Sequence, residues 1–252
     1  MPLVILLLLL WLPVSVYASQ PAPVRIAAAA DLQTAMAELV EIFTQQHPQA
    51  RLSVTYGSSG VFATQLRQGA PFELYFSANA DYVHILHQEG LTRDAGQDYA
   101  RGRLAFYSRE PLTAEHAHEA LNNWHQQARS THKLSIANPR HAPYGVAAIG
   151  WLEQLGLDQE LKYRLVLGEN AAQSVQFVLA GAARSGIVAW PLLSTRADLP
   201  GQAWLIPEDQ HPPLQQRMVL MNNASTTAQA FYDFMGSPAA RERLLHYGFG
   251  PP

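Results

Sequence analysis

Cysteine is absent from the chain, which excludes disulfides, thiolate metal sites, iron–sulfur clusters and a cysteine nucleophile. A lipid anchor carried on an N-terminal cysteine goes with them. Charge is scarce as well: Asp, Glu, Lys and Arg make up 15% of the residues, and 17 basic against 20 acidic side chains leave a net charge of -3. No run of Lys or Arg occurs, so the electrostatic term on which non-specific nucleic-acid binding depends is missing, and no nucleic-acid partner is expected. An apolar run of the ~20 residues that span a bilayer is also lacking. What is present is apolar bulk, 48% of 252 residues, enough for a sizeable core and incompatible with a chain that is disordered throughout. The length exceeds one typical domain and points to two lobes or one large α/β unit.

The longest apolar stretch stands at the start, over residues 3–12, and Pro13, Ser15, Ser19, Gln20, Pro21 and Pro23 interrupt it too early for a transmembrane helix. Such a core followed by the small residues Val16 and Ala18 reads as a signal peptide over residues 1–18, cleaved after Ala18. The protein is therefore expected outside the cytoplasm, in the periplasm. The basic segment that normally precedes such a core is missing, so an uncleaved anchor or a misassigned start codon stands as the alternative.

Beyond Val24 short β-type runs alternate with amphipathic helical runs. Residues 24–29 read as a buried strand. Residues 31–46 read as a helix with Leu32, Ala35, Met36, Leu39, Ile42 and Phe43 on one face and Asp31 as its N-cap. A strand at 52–56 follows, then a helix capped by Ser58 or Ser59 and stopped by Gly69 and Pro71, a strand at 74–76 and a helix at 81–89. This βαβαβ order implies a doubly wound parallel sheet. A strand-like run at 101–108 breaks the rhythm and a second α/β set begins: helix 115–127, strand 134–137, helix 144–155, strand 163–167, helix 171–182 and strand 186–189. A last strand at 217–221 and helices at 225–235 and 238–247 are too few for a domain and are assigned back to the first lobe. The expected architecture is two doubly wound α/β lobes joined by a two-stranded hinge, with 24–105 and 212–252 in lobe I and 106–211 in lobe II.

In open α/β sheets ligands sit beyond the carboxyl ends of the strands, where helix N-termini present free N–H groups. The candidate junctions are Ala30-Asp31, Gly57-Ser58-Ser59-Gly60, Pro143-Tyr144-Gly145 and Glu169-Asn170-Ala171. Converging on one cleft, they would form an anion site built from neutral donors. The Gly-Ser-Ser-Gly run is by itself an ordinary capping turn. It is neither a phosphate loop, lacking Gly-Lys-Ser/Thr, nor a Gly-x-Ser-x-Gly nucleophile elbow.

Taken together, Ala27-Ala28-Ala29-Ala30-Asp31-Leu32, Tyr56-Gly57-Ser58-Ser59-Gly60, Gly69-Ala70-Pro71-Phe72-Glu73-Leu74-Tyr75-Phe76-Ser77-Ala78-Asn79, Asn138-Pro139-Arg140-His141-Ala142-Pro143-Tyr144-Gly145 and Gly186-Ile187-Val188-Ala189 resemble the periplasmic molybdate-binding proteins of ABC importers. The resemblance extends to the Phe231-Tyr232 and His246-Tyr247-Gly248-Phe249 stretches. It implies the type II periplasmic binding protein fold, a monomer that closes over molybdate or tungstate and hands it to an inner-membrane ABC permease, with no cofactor and no cation site. It places the ligand-binding residues at Asp31, Ser59, Tyr144 and Ala171, the last through its backbone N–H, with Ser58 and Asn170 as supporting donors. Some members add a tyrosine after the Gly-Ile-Val strand; this chain has Ala189 there, and Tyr144 is expected to take over that contact.

Asp31 departs from the family pattern, which has Ser, Thr or Asn at this turn. An ionised carboxylate accepts hydrogen bonds and donates none. At ~4 Å from one negative charge it costs roughly 4 kcal/mol at an effective dielectric near 20, about three decades of affinity. Three readings stand open: the carboxylate caps the N–H of Gln33 or Thr34, it accepts from a protonated ligand, or the ligand is cationic or contains a metal. The runner-up function is therefore capture of another oxyanion or small solute.

The pairs His84/His87 and His116/His118 have metal-ligand spacing, but each lies on a polar helix without a third ligand nearby in sequence. A serine hydrolase built on Ser58 or Ser59 lacks any triad spacing. His141, Arg140 and Arg184 read as loop or surface groups, and Gln173 as a neighbour of the Ala171 turn.

Overall fold

The computed structural model describes residues 22–129 and 131–252; the expected signal peptide lies outside the described residues. β1 (Val24–Ala29) passes through a 3-10 turn at Ala30–Leu32 into α1 (Gln33–Gln46). β2 (Leu52–Gly57) leads to α2 (Ser59–Arg67), and β3 (Leu74–Ser77) to α3 (Ala80–Gln88). After β4 (Gln97–Arg101) the chain crosses to β5 (Leu104–Ser108), α4 (Ala117–Gln127), β6 (Leu134–Ala137) and α5 (Pro143–Gln154). There follow α6 (Asp158–Leu161), β7 (Leu165–Gly168), α7 (Ala171–Leu179), β8 (Ser185–Ala189) and β9 (Gln202–Leu205). The chain returns through β10 (Gln215–Leu220), α8 (Thr226–Met235) and α9 (Pro238–His246).

The described residues form two five-stranded sheets, ordered β2-β1-β3-β10-β4 and β7-β6-β8-β5-β9. Each has two parallel pairs, β1 with β2 and β3, and β6 with β7 and β8. The sheets are mixed rather than wholly parallel. β10 runs antiparallel to β3 and β4, and β5 runs antiparallel to β8 and β9. The physical reason is the crossing: a strand that arrives from the other lobe enters its sheet without a crossover helix, and only a crossover makes neighbouring strands parallel. The run at 101–108 is likewise not one strand, since Gly102 and Arg103 divide it between the two sheets. β9 carries no visible strand signal in the sequence because its four residues sit between Gly201 and Pro207, too short for alternation to show.

Each lobe has its own core. Phe43, Phe76 and Phe231 pack edge-to-face in the first, with Phe43 and Phe231 centroids 5.0 Å apart; Phe106, Trp124 and Trp151 fill the second. The crossings are tied where Gly102 N–H donates to Leu214 C=O at 2.9 Å and Ile206 N–H donates to Leu104 C=O at 2.9 Å. Two short crossing segments, residues 102–103 and 206–214, thus connect the two cores.

Candidate functional site

The carboxyl ends of β1, β2 and β3 face those of β6 and β7 across a small, tightly closed cavity. Residues 29–31, 57–59, 78, 142–144 and 171 wall it. Asp31, Ser58, Ser59, Tyr144 and Ala171, which lie up to 140 positions apart in sequence, are thus brought together. The turns at Ala30, Ser59, Pro143 and Ala171 each begin a helical segment, and the first N–H groups of a helix have no acceptor within it. The cavity is therefore ringed by backbone donors at positive dipole ends.

Ser59 is buried, its Oγ accepting from Ala78 N–H at 3.0 Å while Tyr75 Oη donates to its carbonyl at 2.8 Å. Its hydroxyl is fixed in place and keeps its own hydrogen for another acceptor. Asn170 plays a different role. Its side chain accepts from Gln173 N–H at 3.0 Å as the N-cap of α7, which starts the helix at Ala171 without itself forming part of the wall.

Asp31 does not cap α1. No side-chain cap bond is made at that helix start; instead Asp31 Oδ2 accepts from Tyr144 Oη at 2.9 Å and from Gln216 Nε2. The reason is local: the turn leaving β1 is 3-10, so α1 begins at Gln33 with Leu32 in the capping position, and Asp31 lies one residue ahead of it. Tyr144 is corrected with it. Its hydroxyl hydrogen goes to Asp31, so Tyr144 does not replace the missing tyrosine as a direct hydroxyl donor. The carboxyl is 1% exposed, and burial, only partly offset by Gln216, Tyr144 and the nearby N–H groups of Asp31 and Leu32, lifts its pKa to about 6. Burial and the neighbouring Asp31 charge hold the Tyr144 hydroxyl well above its usual value, which keeps it a donor.

Gln216 and Tyr99 were missed in the sequence. Tyr99 Oη donates to Gln216 Oε1, which turns the amide so that Nε2 faces Asp31. A glutamine in a strand is unremarkable until its burial is known; Gln216 is fully buried, and a buried amide requires partners.

The two lobes touch beside the cavity. Ser58 Oγ and Gly60 N–H both donate to the His141 carbonyl, the latter at 2.9 Å. His141 Nδ1 lies 3.0 Å from Ser58 Oγ and its Nε2 3.5 Å from Glu169 Oε2, an alignment that superficially suggests serine, base and acid. The polarity is not that of a nucleophile: the serine hydrogen is spent on the His141 carbonyl and is not offered to the imidazole. Ser58→Ala is expected to loosen this contact by about 0.5–1.5 kcal/mol, weakening ligand affinity two- to tenfold in an equilibrium titration. Among the described residues no three His, Asp or Glu side chains gather as a cation site.

A family model for bacterial extracellular solute-binding proteins matches residues 24–250. The chain belongs to that family. This solute-binding protein is 33% identical to the molybdate-binding protein ModA of Azotobacter vinelandii, over 92% of each chain. It is 32% identical to ModA of Rhodobacter capsulatus, over 88% of this chain and 86% of that one. The solved structure of the Azotobacter vinelandii periplasmic molybdate-binding protein superposes with a TM-score of 0.82 at 27% identity, covering 91% of this chain and 99% of that one. The family is extracytoplasmic, and no helix among the described residues is long and apolar enough to cross a membrane.

Proposed function

We propose that this solute-binding protein captures molybdate or tungstate in the inter-lobe cavity and delivers it, as a periplasmic monomer released from its signal peptide, to an inner-membrane ABC permease. One observation carries the reading: the cavity between the lobes is walled by strand-to-helix turns that bring helix starts and the Ser59 side chain to it, with no Lys, Arg or His and with Asp31 as the one carboxyl among the walling residues. Neutral, fixed donors suit a dehydrated tetrahedral oxyanion, because they stabilise its charge without having to be desolvated as ions themselves. The kinship with two proteins named for molybdate binding narrows the oxyanion.

In this reading Ser59 donates through Oγ, Ala171 and Tyr144 through their backbone N–H groups, Asp31 stands beside the ligand in the cavity wall, and Ser58 helps to hold the lobes shut. The 24–101 and 215–252 segments move against 104–205 about the paired crossings, open without the anion and closed with it. Titration with molybdate, tungstate, sulfate and phosphate is expected to give tight binding of the first two, with sulfate at least a hundredfold weaker for its smaller size and no turnover of any ligand. Small-angle scattering should show a small compaction. Ser59→Ala, which removes a buried donor, should weaken molybdate binding by about tenfold, on the order of 1–2 kcal/mol. Equal affinity for sulfate, or no binding of molybdate by the wild type, would overturn the proposal.

A further inference from the structure

A carboxyl group in an anion cradle is a contradiction that the geometry resolves. Asp31 Oδ2 is saturated as an acceptor by Tyr144 Oη and Gln216 Nε2. Gln216 is held in its orientation by Tyr99 Oη on Oε1 and cannot accept, so a proton on Oδ2 would have to displace one of these two donors or turn Tyr144 Oη from donor to acceptor. The other oxygen, Oδ1, is buried and has no hydrogen-bond partner among the described residues. On Oδ1 a proton disturbs neither bond, and there it turns the unpartnered acceptor into a donor on a residue of the cavity wall. We propose that Asp31 acts as a neutral acid in the complex, taking up one proton as the oxyanion binds and donating from Oδ1 to a ligand oxygen.

This rests on the oxyanion reading above and adds to it a stoichiometric proton and a specificity-determining residue. The surroundings offer no competing source of charge. Tyr144 on α5, Tyr99 on β4 and Tyr75 on β3 are all buried phenols held neutral. Gln216 on β10 does not titrate, and the cavity walls from α2, α5 and α7 contribute Ser58, Ser59, Ala142, Pro143 and Ala171. His141 contacts Ser58 beside the cavity through Nδ1 and faces Glu169 with Nε2. No cation registers at Asp31 to neutralise it, while burial already favours its protonated form. The balance is simple: protein carboxylate, one proton from solvent and the dianion give a complex in which the Oδ1 proton bridges acid and ligand, with no other bond made or broken.

The test is calorimetric titration of the intact protein with sodium molybdate at pH 6.5, 7.5 and 8.5, in pairs of buffers differing in ionisation enthalpy. Wild type should take up close to one proton per anion at the upper two values and lose about tenfold in affinity per pH unit. Asp31→Asn, which places a permanent donor beside the ligand, should bind with no proton uptake and a flat pH profile, and more tightly than wild type at pH 8.5. Asp31→Ser is a second variant with the same expected flatness. Tight molybdate binding by wild type with no proton uptake and no pH slope would overturn this inference and leave the oxyanion function standing. Preference for phosphate, which carries its own proton, would put the proton on the ligand and overturn it too. Absence of molybdate binding at every pH in wild type and both variants would remove the function on which it rests.

Discussion

Replacing Gly60 by alanine is expected to leave the ligand-free protein folded and at least as stable, while weakening oxyanion capture by five- to 150-fold. Gly60 lies in α2, where alanine is favoured over glycine by roughly 0.5–1 kcal/mol. A Cβ there would stand 2.8 Å from the His141 carbonyl oxygen, 2.8 Å from Tyr82 Oη and 3.1 Å from His141 Cα. The tyrosine can swing aside within its own lobe. The His141 backbone belongs to the other lobe and can retreat only by opening the cleft, which also lengthens the 2.9 Å Gly60 N–H to His141 bond. Overpacking of this kind costs about 1–3 kcal/mol, and the cost falls on the closed form alone, so it is read as affinity. Titration with molybdate beside a thermal melt without it separates the two. A variant that binds as tightly as wild type would show that Gly60 and His141 do not meet in the complex.

Asp31→Asn is expected to stabilise the ligand-free protein by roughly 3 kcal/mol at pH 8 and by almost nothing at pH 4. The folded carboxyl titrates near 6, against 3.8 as its ordinary value, chiefly because it is buried. Below 3.8 the group is protonated in both states and costs nothing. Between 3.8 and 6 the folded state binds more protons than the unfolded one, so stability falls as pH rises, and above 6 the loss stays constant. A displacement of about two pH units corresponds to roughly 3 kcal/mol, or about 6–12 °C in Tm for a chain of this size. Asparagine keeps an acceptor for Tyr144 and Gln216 without the charge. Melts of the two proteins across pH 4 to 8 should therefore converge at the acid end and separate above pH 6; parallel curves would mean that Asp31 is solvated in the free protein.

Much of this molecule follows from local rules. The alternation of short apolar runs with 3.6-residue periodicity made the two α/β sets legible, because strand and helix patterns are written within a dozen residues. The strand-to-helix junctions at residues 30–31, 57–60, 143–145 and 169–171 stood out for the same reason, since a βα junction leaves unpaired N–H groups wherever it occurs; the choice of Asp31, Ser59, Tyr144 and Ala171 within them came from the resemblance to molybdate-binding proteins. The absence of cysteine and of basic runs had already narrowed the classes of chemistry and partner.

The long-range relations were not legible. The antiparallel placement of β10 and β5, the short β9 and the meeting of Ser58 and Gly60 with His141 join segments of the chain that carry no mutual signal in sequence. Asp31 shows the division most clearly. Its identity and its position at the first turn are sequence facts, and they sufficed to mark a conflict with an anion. Its direction is set by Tyr144, 113 positions away, and Gln216, 185 positions away. Those two donors occupy one carboxylate oxygen and leave the other bare because strand register and the packing of one lobe against the other, rather than any local preference, bring β10, α5 and the β1 turn to one point.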